Sequence, residues 1–71
     1  MVKVQDIQLD TQSRKATVNL FSDTRGEVSG LTKDQIIGFP QDYDIDAGST
    51  VMTSSGELAF MKSDGQWNWG D

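Results

Sequence analysis

The sequence predicts a small all-β domain, either an antiparallel meander or a compact β-sandwich with a C-terminal three-stranded unit. Three observations carry this expectation. Between Thr50 and Trp69 two turn signals, Ser55-Gly56 and Asp64-Gly65, are each flanked by residues that favour strands. Short alternating apolar segments recur earlier in the chain, and no stretch offers a secure helix. The 71 residues suffice for one domain, 1–71.

Val2 to Leu9 reads as a strand with a defect. Val2 and Val4 share one phase, and Ile7 and Leu9 share the other. A bulge near Gln5-Asp6 would bring all four to one side; without it, two apolar residues are exposed. Asp10 to Ser13 reads as a turn, because its side chains can bond the local backbone. Lys15 to Phe21 is the cleanest strand in the first half, with Ala16, Val18 and Leu20 on one face. It pairs naturally with the first strand as an antiparallel hairpin.

Ser22 to Gly30 breaks the pattern, with Val28 read as a short return strand. Thr32 and Gln35 have capping-box spacing, yet Ile36-Ile37 favours a strand. Thr32 to Gly38 is therefore assigned a short strand, with one helical turn as the alternative. Phe39-Pro40-Gln41-Asp42 is a turn with proline at its second position. Tyr43 and Ile45 then alternate with Asp44 and Asp46.

Two-residue turns at Ser55-Gly56 and Asp64-Gly65 predict a specific register. Val51 would face Phe60, Met52 would face Ala59, and Thr53 would face Leu58. Phe60 would face Trp69, Met61 would face Asn68, and Lys62 would face Trp67. Val51, Phe60 and Trp69 would then form a core row, and Lys62 would cover Trp67 with its aliphatic stem. Met52, Ala59 and Met61 would share the opposite face as a candidate interface, because methionine adapts to irregular surfaces.

Composition removes several function classes. There is no Cys and no His, which excludes disulfides, the usual zinc clusters, thiol nucleophiles and histidine triads. Asp42, Asp44 and Asp46 lack the rest of an EF-hand loop. No metal or other cofactor is expected. The 11 acidic and 6 basic residues give a net charge of −5, which argues against nucleic acid as a partner. No apolar run reaches transmembrane length, and the N-terminus lacks an apolar signal region. Ser63 beside Lys62 would point to the opposite face of a strand, and no phosphate-binding glycine loop is present. No catalytic residue is assigned.

A chain of this size buries only about 60% of its unfolded surface, so self-association or a larger protein assembly would help it. The aromatic residues Tyr43, Trp67 and Trp69 are candidates for an interface or for stacking on a ligand such as a glycan. The acidic balance leaves open an inhibitor or nucleic-acid mimic directed at a basic protein.

Gly48-Ser49, the turn Ser55-Gly56 and the ending Asp64-Gly65-Gln66-Trp67 resemble a pattern in small structural proteins of tailed bacteriophages and prophages. The resemblance spans residues 43–69. It implies a non-enzymatic virion or virion-assembly component, located in the virion or in host cytoplasm during assembly, that acts by self-association or docking. It brings no catalytic residues with it.

Overall fold

The computed structural model describes residues 1–70. Among these residues seven strands form one open sheet. They are β1 (Val2–Asp10), β2 (Lys15–Ser22), β3 (Ile36–Ile37), β4 (Asp44–Ile45), β5 (Thr50–Thr53), β6 (Leu58–Met61) and β7 (Trp67–Trp69). Their order is β3-β1-β2-β5-β6-β7, and β4 also pairs with β2. The all-β class and the C-terminal unit β5-β6-β7 are as the sequence predicts.

The sheet is mixed, however, and among the described residues no second sheet packs against it. β3 lies parallel to β1, and β4 and β5 lie parallel to β2. The cause is the connection from Asp23 to Ser49. It carries the chain from the end of β2 back to its beginning, so β5 must run in the direction of β2. The connection supplies the second layer itself. Its Val28, Phe39 and Tyr43, with Ile36 of β3, pack in one cluster with Val18 and Leu20 of β2 and Val51 of β5. Val28 does so from a turn after a 3-10 segment at Arg25–Glu27, not from a return strand.

The bulge in β1 is present where the phase change required it. Register passes from Val4↔Leu20 to Asp6↔Asn19, leaving Gln5 as the extra residue. Val4, Ile7 and Leu9 consequently face Leu20, Val18 and Ala16. Leu9 sits beyond the covered part of the sheet and remains 49% exposed. Both readings of Thr32 to Gly38 hold, in succession. Lys33–Gln35 makes one 3-10 turn, with Thr32 N–H donating to Gln35 Oε1 at 3.1 Å, and Ile36–Ile37 then forms β3. A hydrogen-bonded turn over Ile36–Phe39 follows, with Phe39 N–H donating to Ile36 C=O at 3.4 Å, and another starts at Pro40, with Tyr43 N–H donating to Pro40 C=O at 3.2 Å, so proline is its first residue instead of its second.

β4 and β5 are two parts of one course along β2, interrupted at 46–49. The interruption would leave the Val18 N–H without a partner. Ser49 repairs it: Val18 N–H donates to Ser49 Oγ at 3.0 Å, inside a fully buried site. Asp46 N–H donates to Ala16 C=O at 2.8 Å and keeps the preceding carbonyl paired.

The register of the C-terminal unit differs by one residue from expectation. Val51 faces Ala59, Met52 faces Leu58 and Thr50 faces Phe60. Ala59 faces Trp69, Phe60 faces Asn68 and Met61 faces Trp67. Each hairpin has a three-residue loop. Gly56 N–H donates to Thr53 C=O at 3.0 Å, and Gly65 N–H donates to Lys62 C=O at 3.0 Å. The glycines have φ of 89° and 84°. Positive φ at glycine serves the bulged three-residue loop as well as the two-residue turn, and the two differ by one residue of register. The core row is therefore Val51, Ala59 and Trp69, and Phe60 lies on the other side.

Candidate interaction surfaces

The register places β6 with Ala59 inward and Leu58 and Phe60 outward. The outer face of the sheet consequently gathers Phe21, Met52, Leu58 and Phe60 on three neighbouring strands. Phe21 lies opposite Met52, and Met52 lies opposite Leu58. Met52 is 46% exposed, Leu58 38% and Phe60 47%. The cluster is bordered by polar groups. Thr50 Oγ1 donates to Asn19 Oδ1 at 2.8 Å, and Lys3 Nζ lies 5.7 Å from the centre of the Phe21 ring.

The sequence-derived trio Met52, Ala59 and Met61 does not share a face. Met52 lies in the outer cluster, whereas Ala59 is fully buried on the inner side. Met61 is half-buried, opposite Trp67. Sequence reasoning missed Leu58 and Phe60 because it chose the shorter hairpin loop. The glycine signal that could have pointed to the longer loop was the same signal.

Trp67 and Trp69 are both half-buried on the inner side of β7. They border a shallow cleft of about 200 Å³, shared with Arg25, Val28, Ser29 and Gln66. The guanidinium of Arg25 stacks 4.7 Å from the centre of the Trp69 ring and forms an ion pair with Glu57. The expected cover of Trp67 by Lys62 does not occur. Lys62 faces Gln66, whose C=O accepts its N–H at 2.8 Å, and its ammonium lies 3.7 Å from Asp64. Tyr43 is in the core at 9% exposure, with the Arg14 guanidinium 5.8 Å from its ring centre.

The acidic residues are mostly engaged locally. Asp42 pairs with Arg14 and Asp44 with Lys33, both at 3.1 Å. Glu27 accepts from the N-terminal ammonium, from Asp23 N–H at 3.0 Å and from Ser22 Oγ at 3.2 Å. These contacts, led by the ammonium, hold its carboxyl below the ordinary value, and the carboxylates of Glu27 and Asp23 raise the ammonium in return. The Asp10 carboxylate is also lowered, by backbone N–H groups of Ser13 and Gln12 that close the β1–β2 turn. Among the described residues no three acidic side chains gather into a metal site. Nor, among them, is any helix long and apolar enough to cross a membrane. Chemically, the two surfaces offer apolar contact and aromatic stacking.

Comparison with known proteins found no matching family model, no match among curated proteins and no similar solved structure.

Proposed function

We propose that the protein is a non-enzymatic structural or assembly component, similar in role to small virion-associated proteins of tailed phages. It acts by docking or self-association through the outer face of its sheet. The observation that carries this reading is the apolar cluster of half-buried Phe21 with exposed Met52, Leu58 and Phe60, gathered on one face. Contiguous exposed apolar side chains rimmed by polar ones mark interaction sites on soluble proteins. Over β2 and β5 the inner face has no such role, because the chain's own connection covers it.

The test is native mass by light scattering across a concentration series, for wild type and for Phe21→Ser/Met52→Ser. Assembly of the wild type above 7.8 kDa, reduced in the double variant while circular dichroism stays unchanged, is the expected result. Identical mass distributions for the two proteins would refute a role for this face in self-association. A second reading, glycan binding, is favoured by Trp67 at the rim of the cleft. It predicts a change in tryptophan emission on titration with neutral saccharides, abolished in Trp67→Ala.

A further inference from the structure

The two edges of the sheet are built differently. The β1 edge carries the charges of Lys3, Asp6 and Asp10, is bent by the bulge at Gln5 and is partly covered by β3. Charge, bulge and cover are the devices that keep an edge strand from pairing with another chain. Among the described residues β7 has no bulge and no strand pairing beyond it, and the Arg25 charge beside it lies over the Trp69 ring rather than on the strand. Gln66-Trp67-Asn68-Trp69-Gly70 contains no charge and no proline, and β7 ends the strand order.

Hydrogen-bonded and non-hydrogen-bonded pairs alternate along an antiparallel ladder. Lys62 N–H donates to Gln66 C=O, and Gly70 N–H donates to Leu58 C=O. Gln66, Asn68 and Gly70 thus direct their main-chain groups toward β6. Trp67 and Trp69 direct theirs away from it, into the open edge.

We infer that β7 is a pairing edge for a second copy of this chain, joined antiparallel about a two-fold axis at Asn68. The sequence Trp67-Asn68-Trp69 reads the same in both directions. Antiparallel pairing about its centre sets Trp67 of each copy opposite Trp69 of the other, and each such pair exchanges both N–H···O bonds. The outward main-chain groups are the ones this register uses. On the inner side the two Trp–Trp pairs cover rings that are half-exposed in the monomer, and such aromatic pairs stabilise a sheet. On the outer side Asn68 meets its own copy, amide to amide. The interface is isologous, so it closes at two copies. It shares no residue with the outer apolar cluster and stands whether or not that cluster is an interface.

The position of Asn68 gives a test that does not depend on damaging the fold. Asn68 is exposed, and the two-fold axis brings a substituted side chain against itself, with about 4.5–5.5 Å between Cβ atoms. Sedimentation would be followed for Phe21→Ser/Met52→Ser, which breaks up the outer cluster at β5 and β2, two and three strands from β7. That protein should reach twice 7.8 kDa by millimolar concentration. Addition of Asn68→Lys should return it to a single chain, as should Asn68→Asp. Mixing the Lys and Asp variants should restore the doubled mass as a heterodimer. Tryptophan emission should shift to shorter wavelength with each doubling and back with each dissociation. A single-chain mass for the parent throughout, a doubled mass that survives Asn68→Lys, or a failure of the mixture to pair would each overturn the proposal. Pairing of β7 with an added extended peptide but never with itself would also overturn it, in favour of a foreign strand.

Discussion

Replacing Ser49 with alanine isolates one buried hydrogen bond. Its hydroxyl is the acceptor for Val18 N–H at 3.0 Å, in a site with no solvent access. Its own proton points to Ala16 C=O at 3.5 Å, and that carbonyl also accepts from Asp46 N–H at 2.8 Å. Only the Val18 donor is therefore orphaned by the substitution. A buried donor left unsatisfied costs about 1–3 kcal/mol. A domain of this length has a total stability of about 4–10 kcal/mol, so the loss is a substantial share. Each kcal/mol moves the melting temperature of a small domain by roughly 4–8 °C. A fall of at least about 4 °C is expected, with a lowered urea midpoint and an unchanged slope. Amide hydrogen exchange supplies the local readout, since Val18 should lose more protection than Leu20 on the same strand. Ser63→Ala, at an exposed turn, is the control and should change stability by less than about 0.5 kcal/mol. If Ser49→Ala matched that control and Val18 kept its protection, the hydroxyl would not be what mends the interrupted ladder.

The contact between Glu27 and the N-terminal ammonium predicts stability that falls at both ends of the pH range. The Glu27 contribution is present above its ordinary pKa of 4.5 and is lost as pH falls through the lowered folded value. The ammonium contribution is complete below 8.0 and is lost as pH rises through the raised folded value. Glu27→Gln should flatten both limbs in thermal melts from pH 2 to 10 (about the range spanned by these groups), and an unaltered profile would refute the linkage. At Gly65 an added Cβ meets no atom within 4 Å, but φ is +84°. Gly65→Ala should therefore cost about 1–2 kcal/mol in urea unfolding through backbone strain alone, with Gly65→Asn costing less because asparagine tolerates this region better. Equal stability of all three would show that the turn relaxes to another geometry.

Much of the first half was legible because local patterns there agree with the tertiary outcome. The phase change in VKVQDIQL has one economical solution, a bulge, and β2 pairs against it in a register that sets Val4, Ile7 and Leu9 opposite Leu20, Val18 and Ala16. Pairing direction was not legible. Parallel placement of β5 on β2 depends on where residues 23–49 run, and that course is set by burial of Val28, Phe39 and Tyr43 over the sheet. Val28 and Tyr43 are read from short local alternation and Phe39 from a turn, and none of these patterns says which part of the sheet the residue covers. Ser49 was invisible for a related reason, since a serine before a strand reads as turn chemistry until the ladder gap beside it is known.

The hairpin error shows how much of the candidate surface depends on one residue of register. Asp-Gly and Ser-Gly were correctly read as turns, and the glycines do take positive φ. That conformation serves two loop lengths, and local propensity does not separate them. What separates them is packing against β2 through β5. Val51 is fixed opposite Leu20, and in its row beneath the covering connection the small Ala59 is fully buried. The small side chain goes inside, Phe60 goes outside, and the apolar cluster forms on the face that the shorter loop would have left with Met52, Ala59 and Met61. The loop also sets which main-chain groups of β7 face outward: Gln66 is bonded across it to Lys62, so alternation turns Asn68 toward β6 and leaves Trp67 and Trp69 facing the edge. With the observed loop the tryptophans hold both the free hydrogen-bonding groups and the half-exposed rings. Edge pairing and ring burial are thereby coupled at the same two residues, so a substitution that blocks one should be read in the other.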